Sequence, residues 1–316
     1  MHESYRDALG RVFSRIGEEF PSLTVVTSDV SKSTRSINFK KNYPGRFFSV
    51  GIAEANAIGI SAGISTWGAP VLFTAYSVFA TEKPFEQIRN MICYPNLNVK
   101  IVATHGGVNV GEDGVTHQAI EDIAIMRALP NMKVVIAADP GEVYAAVKAA
   151  IMVDGPVYVR LGRAQTPVLH DGDITVMTPG KAELLRKGTD VCLMAVGMMV
   201  NESLHAADIL KKDGINAGVI NLRWVKPLDA EMIEAQVKLT GALVVSEDHN
   251  RYGGVGGAVA EVLSLRCPAV LEQVAIDDTF AESGEGHELM RKYGLTAENI
   301  VVKARRAIQR KEQAHA

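Results

Sequence analysis

The chain has 316 residues, of which 47% are hydrophobic, and its formal net charge is −3. A chain of this length can bury more than one hydrophobic core, and a typical domain size of about 150 residues predicts two domains. A weakly acidic chain without a long basic run lacks the electrostatic footprint of a nucleic-acid-binding protein. Charged residues are spread over the first 15 positions and no apolar run reaches about 18 residues, so neither a secretory signal nor a membrane span is predicted.

The three cysteines indicate a reducing compartment. Cys93, Cys192 and Cys267 are far apart, odd in number and flanked by apolar residues. Such a pattern favours buried reduced thiols over a disulfide framework or a zinc site. The sequence therefore predicts a cytosolic protein.

The first half of the chain alternates helical and strand patterns. Apolar residues recur at helical spacing after Ser4, which is a candidate N-cap, so the chain is predicted to open with an amphipathic helix. The later predicted strands are 23–30, 70–75, 99–104, 134–138 and 157–161, and the predicted helices are 53–67, 84–93, 116–128 and 140–152. Repeated strand–helix units predict a mainly parallel sheet with helices on both faces.

A second, smaller α/β domain is predicted after a break in this alternation. Residues 166–187 are rich in glycine, proline and aspartate and read as a linker that carries a short strand or two. Strands are then predicted at 191–196, 215–221, 243–247 and 270–275, with helices at 201–213, 229–240 and 255–265 and a last, basic helix capped by Thr296. The predicted fold class is α/β with two domains, residues 1–165 and 188–316.

Glu54 is the only charged residue between Arg46 and Glu82, and small uncharged residues surround it. A desolvated carboxylate costs several kcal/mol unless a specific group bonds it. Glu54 is therefore expected either to reach water or to have a specific partner.

Two loops after predicted strands are candidates for a ligand site, because ligands of open parallel sheets collect beyond the carboxyl ends of strands. The first begins at Asp29. The second, residues 104–118, contains four glycines together with His105, Asp113 and His117, a set able to approach a ligand closely and transfer protons. A metal site or a simple glycine-rich turn are the alternatives for the second loop, although no cysteine or third histidine lies nearby.

Several motifs resemble the C-terminal half of transketolase. They are Arg46-Phe-Phe-Ser-Val-Gly-Ile-Ala-Glu-Ala-Asn, Phe73-Thr-Ala-Tyr-Ser-Val-Phe, Gly111-Glu-Asp-Gly-Val-Thr-His-Gln and Leu129-Pro-Asn-Met. The later runs Arg223-Trp-Val-Lys-Pro-Leu-Asp and Glu247-Asp-His-Asn-Arg-Tyr-Gly-Gly-Val-Gly-Gly extend the resemblance to the family's C-terminal domain. It implies a thiamine-diphosphate-binding pyrimidine domain at 1–165, followed by a transketolase C-terminal-like domain.

The resemblance also implies a missing half. The family holds the cofactor diphosphate and Mg²⁺ through a Gly-Asp-Gly motif with a later asparagine, and no Gly-Asp-Gly occurs in this chain. The chain is therefore expected to be one subunit of a split transketolase. Its partner, an N-terminal subunit in an α2β2 assembly, would hold the diphosphate and the metal and would be required for turnover.

The resemblance implies cofactor contacts for the residues that match the family's motifs. Glu54 would bond N1′ of the aminopyrimidine and so activate the cofactor. Phe73, Tyr76 and Phe79 would form the wall that stacks on this ring, with Phe73 the expected direct stacker, and Asp29 would lie near the thiazolium. Without the resemblance, aromatic residues at this spacing indicate core packing.

The same carry-over assigns substrate contacts. Asp113 would bond a substrate hydroxyl beside the cleaved bond, while His117 and His105 would take part in catalysis. The positions that match the family's phosphate ligands are Arg6, Ser33, His105 and Arg160. Their structural alternatives are, in that order, a helix-surface salt bridge, a turn hydroxyl, a loop-packing imidazole and a strand-end ion pair.

The predicted reaction is transfer of a two-carbon ketol unit from a ketose to an aldose, within carbohydrate metabolism in the cytoplasm. A deoxyxylulose-phosphate-synthase-like subunit, a subunit like the β chain of 2-oxo acid dehydrogenases and a non-catalytic relative of the same fold are the alternatives. The glycine-rich run that begins at Gly253 precedes a predicted helix and could cradle an anion, but a close-packing turn is favoured. Glu247 and His249 beside it are interpreted as interface or loop residues.

Overall fold

The computed structural model describes residues 1–170 and 176–315. Residues 171–175 of the predicted linker, and the C-terminal Ala316, lie outside these ranges. Within them, every helix is too short or too polar to span a lipid bilayer. The strands are β1 (His2–Ser4), β2 (Thr24–Thr27), β3 (Phe47–Ser49), β4 (Val71–Tyr76), β5 (Val99–Thr104), β6 (Lys133–Ile136), β7 (Val157–Arg160), β8 (Gln165–Pro167), β9 (Glu183–Arg186), β10 (Val191–Ala195), β11 (Ala217–Asn221), β12 (Trp224–Lys226), β13 (Ala242–Asn250) and β14 (Val270–Ile276).

The helices follow the amphipathic and small-residue segments of the sequence. They are α1 (Tyr5–Glu19), α2 (Ile37–Asn42), α3 (Glu54–Ser65), α4 (Ser77–Thr81), α5 (Phe85–Gln87), α6 (Asp122–Ala128), α7 (Val143–Met152), α8 (Met199–Lys212), α9 (Ala230–Thr240), α10 (Val255–Arg266), α11 (Gly286–Lys292) and α12 (Ala297–His315). The side chain of Ser4 accepts a hydrogen bond from the backbone N–H of Asp7, which confirms the predicted N-cap of α1. Thr296 likewise accepts from the N–H of Asn299 at the start of α12.

The first sheet has the strand order β12-β6-β7-β5-β4-β2-β3, and its strands from β6 to β3 are parallel. Alternate residues of a strand point to opposite faces. Accordingly Phe73 of β4 packs with Ala57 and Ile58 of α3 on one face, and Leu72 packs in the cluster that contains α1 on the other. Both faces are covered, as predicted for a parallel sheet.

The second sheet has the order β14-β13-β10-β11-β9, in which only β9 is antiparallel to its neighbour. Helices α8 and α12 cover one face, packed against Leu193, Val219 and Val244. The prediction of an α/β fold with two domains, each built on a mainly parallel sheet, is confirmed.

The two halves are interlocked through β12. This strand follows β11 in the chain but pairs antiparallel with β6, so the second half supplies the edge strand of the first sheet. Trp224 of β12 is buried in the first domain's hydrophobic core. Sequence patterns did not predict β12, because a strand of three residues has almost no periodicity to detect.

The predicted helix 116–128 is shorter than expected, whereas the predicted helix 84–93 continues beyond α5 as a π-helix over Ile88–Cys93. Helix α6 begins only at Asp122, whereas helix was predicted from position 116. Val115–His117 form a single 3₁₀ turn, and Gln118 is extended. The preceding Gly114 has a φ of 77° and packs closely against Ser283 of the second domain, so tertiary contacts shape this segment.

The cysteines are reduced in the structure. Cys93 and Cys192 are buried and Cys267 is half-buried, and all three are free thiols. Burial raises the pKa of Cys93 to about 11 and raises that of Cys192 further, so these two thiols are unreactive core residues.

A buried polar cluster joins the two domains near the linker. His170 lies between Asp139, 2.9 Å from Nδ1, and Glu183, 3.0 Å from Nε2. Glu142 accepts hydrogen bonds from Asn221 and the guanidinium of Arg223. Burial alone would lower the pKa of His170, but the hydrogen bonds to Asp139 and Glu183 and the nearby Glu142 raise it to about 10. His170 is therefore an imidazolium that holds carboxylates from both domains.

This cluster predicts a pH dependence of stability. The folded-state pKa of His170, about 10, lies above the unfolded value of about 6.5, so its contribution is complete below pH 6.5 and is lost as the pH rises towards 10. Urea unfolding of the wild type and His170→Gln between pH 6 and 10.5 should show a stability difference that shrinks as the pH rises. His205→Gln, at an exposed position, provides the control and should leave the stability unchanged. A stability difference between the wild type and His170→Gln that stays constant from pH 6 to 10.5 would contradict the assignment.

Candidate active site

Most of the predicted site residues lie at one edge of the first sheet. Because β5, β4, β2 and β3 are parallel neighbours, the loops that follow them emerge at the same edge. Asp29 follows β2, Glu54 follows β3, Tyr76 ends β4 and His105 follows β5. The topology therefore gathers segments that are up to about 75 residues apart in the sequence.

Glu54 is the first residue of α3, and only 4% of its surface is exposed. An acidic side chain at this position interacts favourably with the positive end of the helix dipole. Its Oε2 atom accepts a hydrogen bond of 2.6 Å from Nζ of Lys83. Its Oε1 atom accepts no hydrogen bond from the residues of the two described ranges and is not fully enclosed.

The ion pair changes the interpretation of Glu54. The sequence showed no cation near it, and a cofactor nitrogen was the expected partner. Lys83 is 29 residues away and half-exposed, and it supplies a protein partner for one of the two carboxylate oxygens. The other oxygen remains available to a ligand.

Four ring side chains form one cluster above the ends of β4 and β5. The imidazole of His105 stacks on Tyr76 with 3.8 Å between ring centroids, and Phe79 meets His117 edge to face at 5.0 Å. Tyr76 and Phe79 are themselves 6.0 Å apart and both are partly exposed. In this aromatic cluster, defined as Tyr76, Phe79, His105 and His117, His105 is buried with its Nδ1 atom 2.8 Å from Oγ1 of Thr104, and the other three side chains are partly exposed.

Phe73 does not join the aromatic cluster. Its side chain is fully buried in the core between β4 and α3. The expectation that Phe73 stacks directly on a ligand is therefore not supported by its position, and core packing accounts for it. Tyr76, three residues further along at the end of β4, and Phe79, which lies in α4, are partly exposed instead.

Asp29 and His105 share an uncommon backbone conformation. Their φ angles are 61° and 65°, in the left-handed region that non-glycine residues rarely adopt. Residues held in this region cost about 1–3 kcal/mol each and cluster at functional sites. Burial lowers the pKa of His105 to about 3, and the electrostatic effects of Arg6, Arg163 and His117 act in the same direction. At neutral pH its imidazole is uncharged and can either donate or accept a hydrogen bond.

The second domain holds the loop that carries these histidines. The buried Asp248 accepts a hydrogen bond of 3.1 Å from the backbone N–H of Val108. Gly107 has a φ of 81°, and a β-carbon there would lie 1.7 Å from Asp248 Oδ2, so only glycine fits. Gln118 donates to the carbonyl of Glu282 at 3.0 Å. The two ends of the loop are thus fixed by the second domain.

Arg160, the last residue of β7, and Arg163, three residues beyond it, differ sharply in their surroundings. Arg160 is buried, with Nε 2.7 Å from the carboxylate of Asp122 and Nη2 donating to the carbonyls of Ala119 and Asp248. It matches the strand-end ion pair that was the alternative to a phosphate contact. Arg163 instead lines a cleft of about 280 Å³ together with Arg6.

The remaining predicted ligands are accessible, and within residues 1–170 and 176–315 their side chains form no hydrogen bond, ion pair or ring contact with the aromatic cluster. Asp29 and Asp113 are exposed and Ser33 is half-exposed, at positions bordering the same edge of the sheet. Sequence reasoning missed Lys83, Arg163 and Asp248. Arg163 had a signal, since it lies only three residues beyond Arg160 after the same strand, whereas the contacts of Lys83 and Asp248 depend on tertiary packing.

Two other candidates for ligand binding are already satisfied internally. Asp139, Glu142 and His170 are close enough to hold a metal ion, but backbone N–H groups and Arg223 already donate to the carboxylates. The turn at Gly253 also offers no anion site. Glu247 accepts from the N–H groups of Val255 and Gly256 at the start of α10, at 2.7 and 2.8 Å.

His249 has a structural role at the domain interface. Its Nε2 atom accepts a hydrogen bond from the backbone N–H of Ala124 in α6, and its Nδ1 atom lies 2.6 Å from the carbonyl of Asn250. The side chain thus links α6 of the first half to β13 of the second, in agreement with its interpretation as an interface residue.

Comparison with known proteins agrees with this arrangement. Residues 2–168 match the family model for the pyrimidine binding domain of transketolase, and residues 180–300 match the model for its C-terminal domain. A putative transketolase C-terminal section from Methanocaldococcus jannaschii is 40% identical over 95% of each chain. The 6-deoxy-6-sulfo-D-fructose transketolase subunit SqwH from Clostridium sp. is 37% identical over 97% of this chain and 95% of its own.

A solved structure shows the same fold. It is described as "Split gene transketolase, inactive beta4 tetramer", is 44% identical, superimposes with a TM-score of 0.90, and is matched over 97% of this chain and 98% of its own. The protein belongs to the transketolase family. Within that family it corresponds to the C-terminal section, which comprises the pyrimidine-binding and C-terminal domains.

Proposed function

We propose that the chain is the C-terminal subunit of a split, thiamine-diphosphate-dependent transketolase that transfers a two-carbon ketol unit between phosphorylated sugars. The observation that carries this proposal is the buried carboxylate of Glu54, whose Oε1 atom accepts no hydrogen bond from the part of the chain that the structure describes. Such a group is suited to hydrogen-bond a ring nitrogen away from bulk water.

The residues at this edge of the sheet fit the aminopyrimidine end of the cofactor. When bound, thiamine diphosphate supplies an electron sink for cleavage of a carbon–carbon bond. Glu54 would accept from or donate to N1′, and the partly exposed faces of Tyr76 and Phe79 would pack against the ring. Asp29, in its left-handed conformation, would face the thiazolium. Phe73 supports this wall from the core without touching the ring.

The substrate would lie on the side of the aromatic cluster that is opposite the cofactor ring. A neutral His105 can exchange hydrogen bonds with a sugar oxygen, and His117 and Asp113 border the same space. Arg6 and Arg163 place positive charge where it acts on His105, which suits the phosphate end of a sugar. In this proposal Arg163 takes the place first expected for Arg160, and Ser33 remains a phosphate ligand.

The diphosphate and its Mg²⁺ would be held by a second polypeptide. The chain carries no Gly-Asp-Gly motif, and the cluster at Asp139 is occupied by internal hydrogen bonds. We place the two kinds of chain in an α2β2 assembly in the cytoplasm, since the free buried thiols suit a reducing compartment.

Reconstitution tests this function. The purified chain alone should show no ketol transfer, and adding an N-terminal transketolase subunit with thiamine diphosphate and Mg²⁺ should restore it, measured with phosphorylated and unphosphorylated ketose–aldose pairs. Robust turnover by the isolated chain would contradict the split arrangement. If the assembled pair condensed pyruvate with an aldose phosphate and transferred no ketol unit, the alternative synthase-like function would replace it.

A further inference from the structure

Lys83 lies in a turn whose position the sequence dictates. Helix α4 ends at Thr81 and α5 begins at Phe85. The intervening Pro84 disfavours helical geometry for the residue before it, so the chain breaks at Lys83. The turn carries the lysine side chain back towards the start of α3, where Glu54 lies.

Lys83 contacts both Glu54 and the aromatic wall proposed for the cofactor. Its Nζ atom is 2.6 Å from Oε2 of Glu54 and 5.4 Å from the ring centroid of Phe79. The first distance is that of a charge-assisted hydrogen bond, and the second lies within the range of a cation–π interaction. One ammonium group therefore links the carboxylate to the aromatic side chain.

We infer that Lys83 is a positioning residue for cofactor activation. The hydrogen bond to Oε2 fixes the rotation of the Glu54 carboxylate, so Oε1 faces the aminopyrimidine N1′. The inference rests on the proposed function and extends it, because the resemblance assigned a role to Glu54 and none to Lys83. Lys83 acts only through Glu54 and touches no reacting atom.

The geometry favours positioning over two other roles. A group that competed with the cofactor would occupy both carboxylate oxygens, whereas Lys83 bonds Oε2 and leaves Oε1 open. A counter-ion needed only for folding would be buried with its partner, as Arg160 is with Asp122. The side chain of Lys83 is instead 52% exposed.

The test compares Lys83→Met, Lys83→Arg and the exposed control Lys41→Met in the reconstituted assembly. Lys83→Met should slow exchange of the C2 proton of bound thiamine diphosphate by roughly ten- to hundredfold, the size of effect expected from misplacing a reacting group. Lys83→Arg should recover most of the rate. Calorimetric titration gives the cofactor dissociation constant, and thermal unfolding of the chain alone checks that each variant folds.

Each outcome decides the matter. Slower exchange with an unchanged melting temperature and rescue by arginine supports positioning. Tighter cofactor binding by Lys83→Met would show competition, and a lower melting temperature with normal exchange would show a purely structural role; either result overturns the inference. Glu54→Ala distinguishes failure of this inference from failure of the proposed function. If Glu54→Ala slows exchange and Lys83→Met does not, only the positioning role of Lys83 is wrong. If neither variant slows exchange, the proposed function is wrong.

Discussion

Replacing Glu54 by alanine is expected to slow C2 proton exchange of assembly-bound thiamine diphosphate by about 10²–10⁴-fold, the range typical of losing a positioned acid–base group. Ketol transfer should also fall, because the cofactor can attack the donor sugar only after it has lost the C2 proton. Folding should survive, since Lys83 is half-exposed and can turn to water once its partner is removed. The measurement is deuterium exchange followed by NMR after acid quench of the reconstituted enzyme.

Two further variants define the role of the carboxylate. Glu54→Gln keeps the shape of the side chain but loses its charge, so it should bind the cofactor and still exchange slowly. Glu18→Ala, at an exposed position of α1, should behave as the wild type. Near-normal exchange in a correctly assembled Glu54→Ala enzyme would refute the role assigned to this residue.

Arg160→Met and Arg163→Met should have opposite consequences. Arg160→Met leaves the fully buried carboxylate of Asp122 without its cation and should lower the free energy of unfolding by about 3–5 kcal/mol. Arg163→Met should lower stability much less, by about 1 kcal/mol, because Arg163 borders an open cleft and loses only its hydrogen bonds to the carbonyl of Val110 and to the exposed Glu112. It should lower kcat/KM for phosphorylated sugars by roughly 10–100-fold, the value of a hydrogen bond to a charged group.

Urea unfolding of the chain and kinetics with matched phosphorylated and unphosphorylated sugars separate the two arginines. Lys41→Met provides a charge control at an exposed site. If Arg160→Met instead folded with full stability and lost discrimination for the phosphate, the original expectation for Arg160 would be correct and the ion pair with Asp122 would be dispensable.

The contrast between these arginines shows what sequence patterns can and cannot provide. Strand positions were predictable because β4 and β5 are rich in β-branched and other apolar residues. The loops that follow parallel strands meet at one edge whatever their sequence. Which arginine faces solvent depends on Asp122 and Asp248. Asp122 reaches Arg160 through the packing of α6 on β7 within the first domain, and Asp248 reaches it only through packing of the second domain.

The aromatic residues show the same limit at shorter range. Phe73 and Tyr76 belong to one strand, yet the first is enclosed by α3 and the second is partly open. Alternation along β4 fixes that they face different sides, but not which side bears the site. The sequence likewise did not predict Lys83 as the partner of Glu54, because the two residues meet only when the turn at Pro84 folds back onto α3.

The position of β12 limits how this protein can be divided. A fragment that stopped within the linker would lack the edge strand of its own sheet, leaving the β6 strand, Lys133–Ile136, with open backbone donors and acceptors. An uncovered apolar edge of this kind invites pairing with other molecules. The two family domains are therefore separable as units of classification, but the first sheet is completed only after the chain has been synthesised as far as β12, Trp224–Lys226.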